Sequence, residues 1–296
     1  MIFFKVFNIA IIDRIHISTA LIMNKKKDLS RDNLKLQSIK DFGNQWELYS
    51  ENKGYHASLI LFKDIIEPLL SLEDFDQKLV AEVGSGNGRI IEMLTKTEAA
   101  HIYSIEPSDG YKLIKKKFSN RKKRITAIKS TGELFTTSKK LDLILSIGVL
   151  HHIPKPDIVL LNCLNNLKSG GRIFVWLYGQ EGNHIYLFII RILRIFTIRM
   201  PDKLLKRLVD LIYFPLSLYI KLSSFFRLPM SGYMNKVIGK MDSESKKQII
   251  FDQLNPIYSK YYKYNEVLDL LTRNGFKDIK IHCRHGYSYS ASAIKP

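Results

Sequence analysis

The sequence predicts an α/β protein built on a doubly wound, mostly parallel sheet, and three observations support this. Between residues 78 and 178, short apolar segments alternate with helical patterns, as in consecutive βαβ units. A glycine-rich turn, residues 84–88, directly follows the first apolar segment. Near the end of the chain, two strand patterns are separated by only three residues. Because so short a hairpin cannot join parallel strands, one strand is expected to run antiparallel.

The predicted elements follow the chain in order. Strands are expected where short apolar runs are bounded by turn residues, and seven segments fit: 78–83, 101–105, 125–129, 141–146, 172–177, 277–283 and 287–294. Residues 168–171 are predicted to form a turn before the fifth strand. Helices are expected over about 88–95, over the basic run after the second strand, and over 157–167 and 264–274. Gly275 suits the C-terminal cap of the last helix.

The alternation of strands and helices stops over a long middle segment. Residues 182–261 are helical in pattern and rich in aliphatic and aromatic side chains, and they are too many for a plain crossover. We therefore expect five parts, namely an N-terminal extension or mis-called start (1–28), a helical cap (29–77), an α/β core (78–181), an inserted helical lid (182–261) and a helix with a hairpin that completes the sheet (262–296).

Composition limits the classes of function. The net charge is +18, and two cysteines without metal-like spacing favour a reducing compartment, so a cytoplasmic location is expected. Asp13, Arg14 and His16 interrupt the apolar N-terminus, which disfavours a signal peptide or membrane anchor. Residues 112–124 hold eight basic and no acidic side chains. This run fits either a surface for nucleic acid or anionic membrane, or a solvated helix face, and we favour the second.

The glycine turn indicates the charge of its ligand. Dinucleotide-binding folds place Gly-x-Gly-x-x-Gly there, so that a pyrophosphate meets a helix N-terminus. Here the spacing is Gly84-x-Gly86-x-Gly88, and Glu82 lies within the end of the preceding strand. A buried carboxylate would repel a diphosphate, whereas an ammonium and a sulfonium would stabilise its charge. The turn thus favours a cationic nucleoside ligand.

Polar groups at the ends of the other strands extend this pattern. Glu106, followed by Pro107, ends the second strand, where a carboxylate can accept both hydroxyls of a ribose. The loop 130–133 follows the third strand and is placed to meet an adenine edge, and the loop 146–154 follows the fourth. Open α/β sheets bind ligands at the carboxyl ends of their central strands, so these groups are expected to form one site.

In order and spacing, these segments resemble the class I S-adenosylmethionine-dependent methyltransferases. The likeness is strongest to the group that acts on small molecules and includes the quinone-biosynthesis methyltransferases. It covers about half of the chain and rests on residues 82–88, 105–107, 131–133, 146–153, 167–173 and 274–279. The resemblance implies a seven-stranded sheet whose last strand is antiparallel, with the additional segments forming a lid over the substrate.

The resemblance also implies S-adenosylmethionine as the cofactor. Glu82 is expected to meet its methionine part and Glu106 its ribose, while Glu133, or the backbone of Gly132, is expected to line the adenine pocket. The full set of expected cofactor-binding residues is Glu82, Gly84, Ser85, Gly86, Gly88, Glu106, Pro107, Gly132, Glu133 and Ser146.

Methyl transfer from a sulfonium mainly requires that the acceptor be positioned and water excluded. A general base helps if the acceptor is a hydroxyl, and His151 or His152, just beyond the fourth strand, is the candidate. The alternative for each is helix capping or packing. Trp46, Tyr178, Asp252 and Tyr258 are candidates for the acceptor pocket, with ordinary packing as the alternative for the tyrosines. No metal is expected.

The sequence therefore predicts a methyltransferase acting on a small molecule, with lipid-linked, quinone-like and sugar-containing acceptors all open. Residues 184–226 fit a basic amphipathic segment that closes the site, and peripheral membrane contact through it is a second interpretation; Asp210 and Pro215 disfavour a spanning helix. An RNA methyltransferase that uses the basic run 112–124, and a non-catalytic binding protein with this fold, are the alternative functions.

Overall fold

The computed structural model describes residues 31–121, 124–226 and 228–296. The predicted N-terminal extension, residues 1–28, and Lys122 and Lys123 of the basic run lie outside this part of the chain. Within it, seven strands form one sheet in the order β3-β2-β1-β4-β5-β7-β6. The strands are β1 (Leu79–Val83), β2 (His101–Ile105), β3 (Ile125–Ile128), β4 (Leu141–Ile147), β5 (Leu167–Tyr178), β6 (Lys277–Arg284) and β7 (Ser288–Ile294).

Neighbouring strands from β3 to β5 are all parallel, whereas β7 is antiparallel to both β5 and β6. The predicted fold class, with an antiparallel last strand, is confirmed. One local prediction differs. Residues 168–171 do not precede β5 but form a bulge within it, because Leu167 pairs with Leu141 and Arg172 pairs with Leu143. The extra residues on β5 widen the strand at that point.

Helices cover both faces of the sheet and its carboxyl-terminal edge. They are α1 (Arg31–Leu48), α2 (Leu59–Ile66), α3 (Arg89–Leu94), α4 (Gly110–Lys117), α5 (Pro156–Asn166), α6 (His184–Thr197), α7 (Asp202–Phe225), α8 (Ser231–Lys236), α9 (Ser243–Leu254) and α10 (Tyr264–Arg273).

Two apolar layers hold these helices on the sheet. Phe62 of α2, Ile91 of α3 and Ile114 of α4 are fully buried on one face. Val159 of α5 and Leu271 of α10 are fully buried on the other. Since the central strands are buried on both faces, their sequences are nearly continuous apolar runs rather than alternating ones.

The inserted segment packs around a smaller core of its own. Leu205 and Val209 of α7 are buried against Phe251 of α9. Helix α7 continues through Pro215, although proline removes one backbone hydrogen bond of the helix. Asp210 forms an ion pair with Lys247 at 2.9 Å, which ties α7 to α9. The segment therefore forms a helical layer beside the carboxyl ends of β1, β4 and β5.

Candidate functional site

A large cavity lies at the carboxyl ends of the central strands, between the glycine turn and the helices added to the sheet. Its empty space, including the open mouth, is about 1580 Å³. The walls come from the turn after β1, the ends of β2, β4 and β5, helix α1, and helices α8 and α9.

The turn after β1 requires glycine at two positions. Gly84 and Gly86 have φ angles of +83° and +55°, a region that side chains disfavour. A Cβ atom at Gly86 would lie 2.8 Å from the ring of Trp46, and one at Gly84 would lie 2.5 Å from Val149. The turn is thus held under α1, and its backbone faces the cavity.

Glu106 fixes the shape of this turn. Its Oε2 accepts a hydrogen bond from the Gly86 N–H at 2.7 Å, and its Oε1 accepts one from the Ser108 N–H at 2.9 Å. The residue is buried and lines the cavity, and burial raises the pKa of its carboxyl. A carboxylate offers about four acceptor sites, so acceptor capacity remains for a hydroxyl of a ligand. Glu106 can therefore pin the turn and bind a ribose at once.

Glu82 is the buried acid of the site. It is 1% exposed and lines the cavity, and its Oε2 has no hydrogen-bond partner in the described part of the chain. Burial raises the pKa of this carboxyl to about 8, an effect that the nearby Arg89 opposes. An orphaned buried acceptor of this kind fits the ammonium group of a bound amino acid. The residues present therefore fit the methionine part of S-adenosylmethionine.

The part of the cavity that is expected to bind adenine is linked to α1 by an ion pair. Glu133 forms an ion pair with Lys35 of α1 at 3.0 Å, and both line the cavity together with Pro107 and Gly132. A Cβ atom at Gly132 would lie 2.7 Å from Val159. The backbone there is thus packed directly on α5.

Three other expected cofactor residues differ in their placement. Ser85 lines the cavity, but Gly88 and Ser146 do not. Gly88 precedes α3, and a Cβ atom there would lie 3.1 Å from both Ile114 and Phe118. The hydroxyl of Ser146 is buried, 3.5 Å from the carbonyl of Val83.

His152 reaches the cavity with one ring nitrogen free. Its Nδ1 is 3.0 Å from the carbonyl oxygen of Tyr258 and 3.0 Å from the Ser259 hydroxyl. Because a carbonyl only accepts, the bond to Tyr258 requires the proton on Nδ1 and leaves a lone pair on Nε2. Nε2 has no partner among the described residues. Burial lowers the pKa of His152 to about 4, so the ring is neutral near pH 7 and available as a proton acceptor.

His151 has a different environment, although it is the next residue along the chain. It is fully buried and does not line the cavity. The centroid of its ring lies 3.7 Å from that of the Tyr178 ring. Burial lowers its pKa well below the usual value. Of the two histidines predicted as candidate bases, the geometry favours His152.

A hydrogen-bond network joins α1, β5 and α9 across the cavity. The Tyr178 hydroxyl donates to Asp252 Oδ2 at 2.7 Å and accepts from Gln253 Nε2 at 2.6 Å, and Gln45 Nε2 donates to Asp252 Oδ1 at 3.2 Å. Tyr178 and Asp252, both predicted to line the acceptor pocket, therefore come together. Tyr258, also predicted, is not a lining residue, and it contributes its carbonyl to His152.

Several lining residues were missed by the sequence analysis. They are His56, Arg89, Trp176, Tyr233, Gln253, Arg284 and Tyr287. Arg89 had a usable signal, because it directly follows the last glycine of the turn. The others lie on separate elements, and only the fold brings them to one wall.

Comparisons with known proteins agree with this architecture. Residues 81–175 match the family described as a methyltransferase domain. A ubiquinone biosynthesis O-methyltransferase of Nitrosomonas europaea is 25% identical over 150 residues, which cover 49% of this chain and 63% of that enzyme. The chain thus spans less than two thirds of the length of this relative.

Solved structures of methyltransferases are similar to this chain at low identity. A methyltransferase of Thermotoga maritima, named as a possible histamine N-methyltransferase, has a TM-score of 0.46 and 14% identity, covering 86% of this chain and 94% of that one. Magnesium protoporphyrin IX methyltransferase of Synechocystis has a TM-score of 0.47 and 12% identity, covering 86% and 93%. At these values, neither structure bears on the acceptor.

Proposed function

We propose that this chain transfers a methyl group from S-adenosylmethionine to a small-molecule acceptor, because it belongs to the class I S-adenosylmethionine-dependent methyltransferases. One observation carries the proposal. Glu82 and His152 line the same cavity, and each has a buried polar atom without a hydrogen-bond partner among the described residues, Glu82 Oε2 and His152 Nε2. A cation-binding acid and a proton acceptor are what this reaction needs.

Each side chain has a role in this scheme. Glu82 would bind the ammonium group and Glu106 the ribose hydroxyls, beside the backbone of Gly132 and Pro107 at the adenine. When bound, the cofactor supplies a methyl group that its sulfonium already activates. The protein orients the acceptor and excludes water, and α1 and α9 cover the cavity for this purpose. His152 Nε2 would take the proton of an acceptor hydroxyl.

The lining favours a flat, aromatic acceptor over a sugar. Tyr233 and Tyr287 stack with ring centroids 4.4 Å apart, and Trp176 and Tyr178 lie beside Tyr287. Such rings offer a broad apolar surface that a flat aromatic molecule can cover. We therefore favour a quinone-like or phenolic acceptor among the three classes that the sequence left open.

Cofactor binding is directly measurable, because both tryptophans of the chain, Trp46 and Trp176, line the cavity. Titration with S-adenosylhomocysteine is expected to change the intrinsic fluorescence in a saturable manner, and Trp46→Phe is expected to remove most of the change. Turnover is tested with methyl-labelled S-adenosylmethionine and matched phenols and sugars. Label on phenols that His152→Gln reduces supports the proposal, and label on sugars alone contradicts it.

We also propose that the protein works in the cytoplasm at the surface of a membrane, which it contacts through α7. Among the described residues, α7 is the helix whose length and apolar composition would suit a membrane span. Of its apolar stretch, 17% is buried against the rest of the protein, so most of the stretch faces outward. Its exposed apolar side chains form one stripe along the helix at a spacing close to 3.6 residues, namely Leu204, Leu211, Phe214, Leu218, Leu222 and Phe225.

Charge supports an anionic lipid surface as the occupant of this stripe. Lys203, Arg207 and Lys221 are exposed on the same helix, whereas the acidic Asp210 is paired with Lys247. An apolar stripe with basic flanks is typical of helices that lie in the plane of a bilayer surface. The ion pair with α9 and the buried Leu205 and Val209 support a helix that lies on the membrane while staying packed on its own domain.

Co-sedimentation with vesicles tests this contact. Binding to phosphatidylglycerol-containing vesicles, weaker binding to neutral phosphatidylcholine vesicles, and loss of binding in Leu211→Ser/Phe214→Ser are expected. Ile60→Ser is the matched control, because Ile60 is 65% exposed on α2. Equal losses in the control, or no binding by the wild type, would contradict the proposal.

The basic run gives weaker support to an RNA methyltransferase. Lys112 pairs with Asp109 at 3.1 Å, and Lys117 pairs with Glu92 at 3.6 Å. These pairs reduce the positive charge that α4 offers to a phosphate backbone. We therefore keep the small-molecule function.

A further inference from the structure

Arg89 is the one cavity-lining guanidinium without a hydrogen bond or ion pair among the residues that the structure describes. It stands at the start of α3, directly after the glycine turn, and is partly buried. It lines the cavity together with Glu82 and His56, and its positive charge acts to lower the pKa of both. A cavity-lining guanidinium without a protein partner has its donors free for an anionic group of a ligand.

The acids near Arg89 are engaged elsewhere. Asp252 accepts hydrogen bonds from Tyr178 and Gln45 on its two oxygens. Asp64 is held by Arg284 and His285. Glu82, with its pKa raised to about 8, is largely protonated near neutrality while no cation is bound. Since both oxygens of Asp252 and of Asp64 already have protein donors, the hydrogen-bond donors of Arg89 are left for a bound group.

A second unpartnered donor lines the same cavity. The indole Nε1 of Trp176 is buried and has no hydrogen-bond partner in the described part of the chain. An indole N–H can only donate, so it also requires an acceptor atom. Tyr287 lies beside Trp176 and stacks on Tyr233, whose pKa is influenced by Arg89 and Arg284. These rings line the same cavity as Arg89 and Trp176.

We propose that Arg89 forms a subsite for an anionic group, a carboxylate or a phosphate, carried by the acceptor. Arg89 would bind the anion through its two-pronged guanidinium, and the Tyr233–Tyr287 wall would cover the apolar part of the same molecule. The acceptor is then an aromatic acid or an aryl phosphate. This inference rests on the proposed function and names the class of its acceptor.

The carboxylate of the cofactor has the same chemistry as such a group, so the experiment must separate the two sources. Calorimetry on the full chain provides the first arm, titration with S-adenosylhomocysteine alone. The second arm uses protein saturated with S-adenosylhomocysteine and titrated with 4-hydroxybenzoate, phenyl phosphate and the neutral 4-hydroxybenzamide. Wild type, Arg89→Gln and Arg89→Lys are compared, and circular dichroism checks that each is folded.

The wild type is expected to bind 4-hydroxybenzoate or phenyl phosphate at least about tenfold more tightly than 4-hydroxybenzamide. A charge-assisted hydrogen bond increases affinity by about this factor. Arg89→Gln should abolish this preference and change the affinity for S-adenosylhomocysteine by less than about threefold, and Arg89→Lys should keep part of it.

Equal or absent binding of the charged and neutral compounds by the wild type would overturn the proposal. So would a preference that survives in Arg89→Gln. A preference left intact while Arg89→Gln loses S-adenosylhomocysteine binding would assign Arg89 to the cofactor instead. Failure of the wild type to bind S-adenosylhomocysteine in the first arm would contradict the proposed function itself, which separates the two claims.

Discussion

Glu82→Gln is expected to shift the stability of the ligand-free protein and its affinity for the cofactor in opposite directions. Burial raises the pKa of the Glu82 carboxyl to about 8, against 4.5 for an exposed glutamate. Near neutral pH the group is therefore mostly protonated in the fold and ionised in the unfolded chain. Folding takes up a proton at this residue.

The sign and size of the effect follow from this difference. Because the pKa is higher in the fold, the contribution to stability is fully present below pH 4.5 and is lost as the pH rises through about 8. The total loss approaches about 5 kcal/mol, at about 1.4 kcal/mol for each pH unit. Glutamine is neutral at every pH, so the variant does not undergo this loss. Its free energy of unfolding relative to that of the wild type should therefore rise by about 4 kcal/mol between about pH 5 and pH 8.5.

Urea unfolding of the ligand-free proteins at a series of pH values measures this gain. The buried histidines titrate in both proteins, so the difference between the two isolates Glu82. The variant should also bind S-adenosylhomocysteine about 10–100-fold more weakly, because a charge-assisted hydrogen bond to the ammonium becomes a neutral one.

Glu98→Gln, at an exposed position, is the matched control and should show neither effect. A stability difference between Glu82→Gln and wild type that does not change with pH would refute the buried, protonated carboxyl. An unchanged affinity would refute its role in binding the cofactor.

The remaining predictions concern the turn, the base and acid stability. Gly86→Ala should lower both stability and S-adenosylhomocysteine affinity, because the residue has a φ of +55° and its Cβ would meet Trp46; the strain alone costs about 1–3 kcal/mol. Gly232→Ala, with open space around it, should be neutral, and urea unfolding compares the two. His152→Gln should lower kcat about 10²–10⁴-fold for a hydroxyl acceptor while calorimetric cofactor affinity stays the same; an equal loss of affinity would indicate a structural role. Since burial lowers the pKa of His152 to about 4, its stabilising effect is present above about pH 6.5 and lost as the pH falls toward 4, so wild type should lose more stability there than His152→Gln.

The fold could be predicted because the strands are buried on both faces. Leu79–Val83 and Leu141–Ile147 are therefore nearly continuous apolar runs, interrupted only by Glu82 in the first and by Asp142 and Ser146 in the second. The bulge at 168–171 could not be predicted in the same way. Its two glycines indicate a turn in the sequence, and only the pairing of Leu167 with Leu141 places these residues inside β5.

Local sequence could likewise predict some residues of the candidate site but not others. The glycine turn and Glu106 could be located because their chemistry depends on local spacing after a strand. His151 and His152 could not be distinguished, since they are adjacent in a single helical turn and differ only in what packs on them. Tyr233 and Tyr287 stack in the cavity wall through tertiary packing alone, for which the sequence carries no periodic signal.

The structure of the complex with S-adenosylhomocysteine would test the cofactor roles of Glu82 and Glu106. We expect the amino group of the ligand to lie within hydrogen-bond distance of Glu82 Oε2 and the ribose hydroxyls to reach Glu106, with the Gly86 N–H still donating to the same carboxylate. Ligand bound elsewhere, or a ribose that avoids Glu106, would contradict these roles.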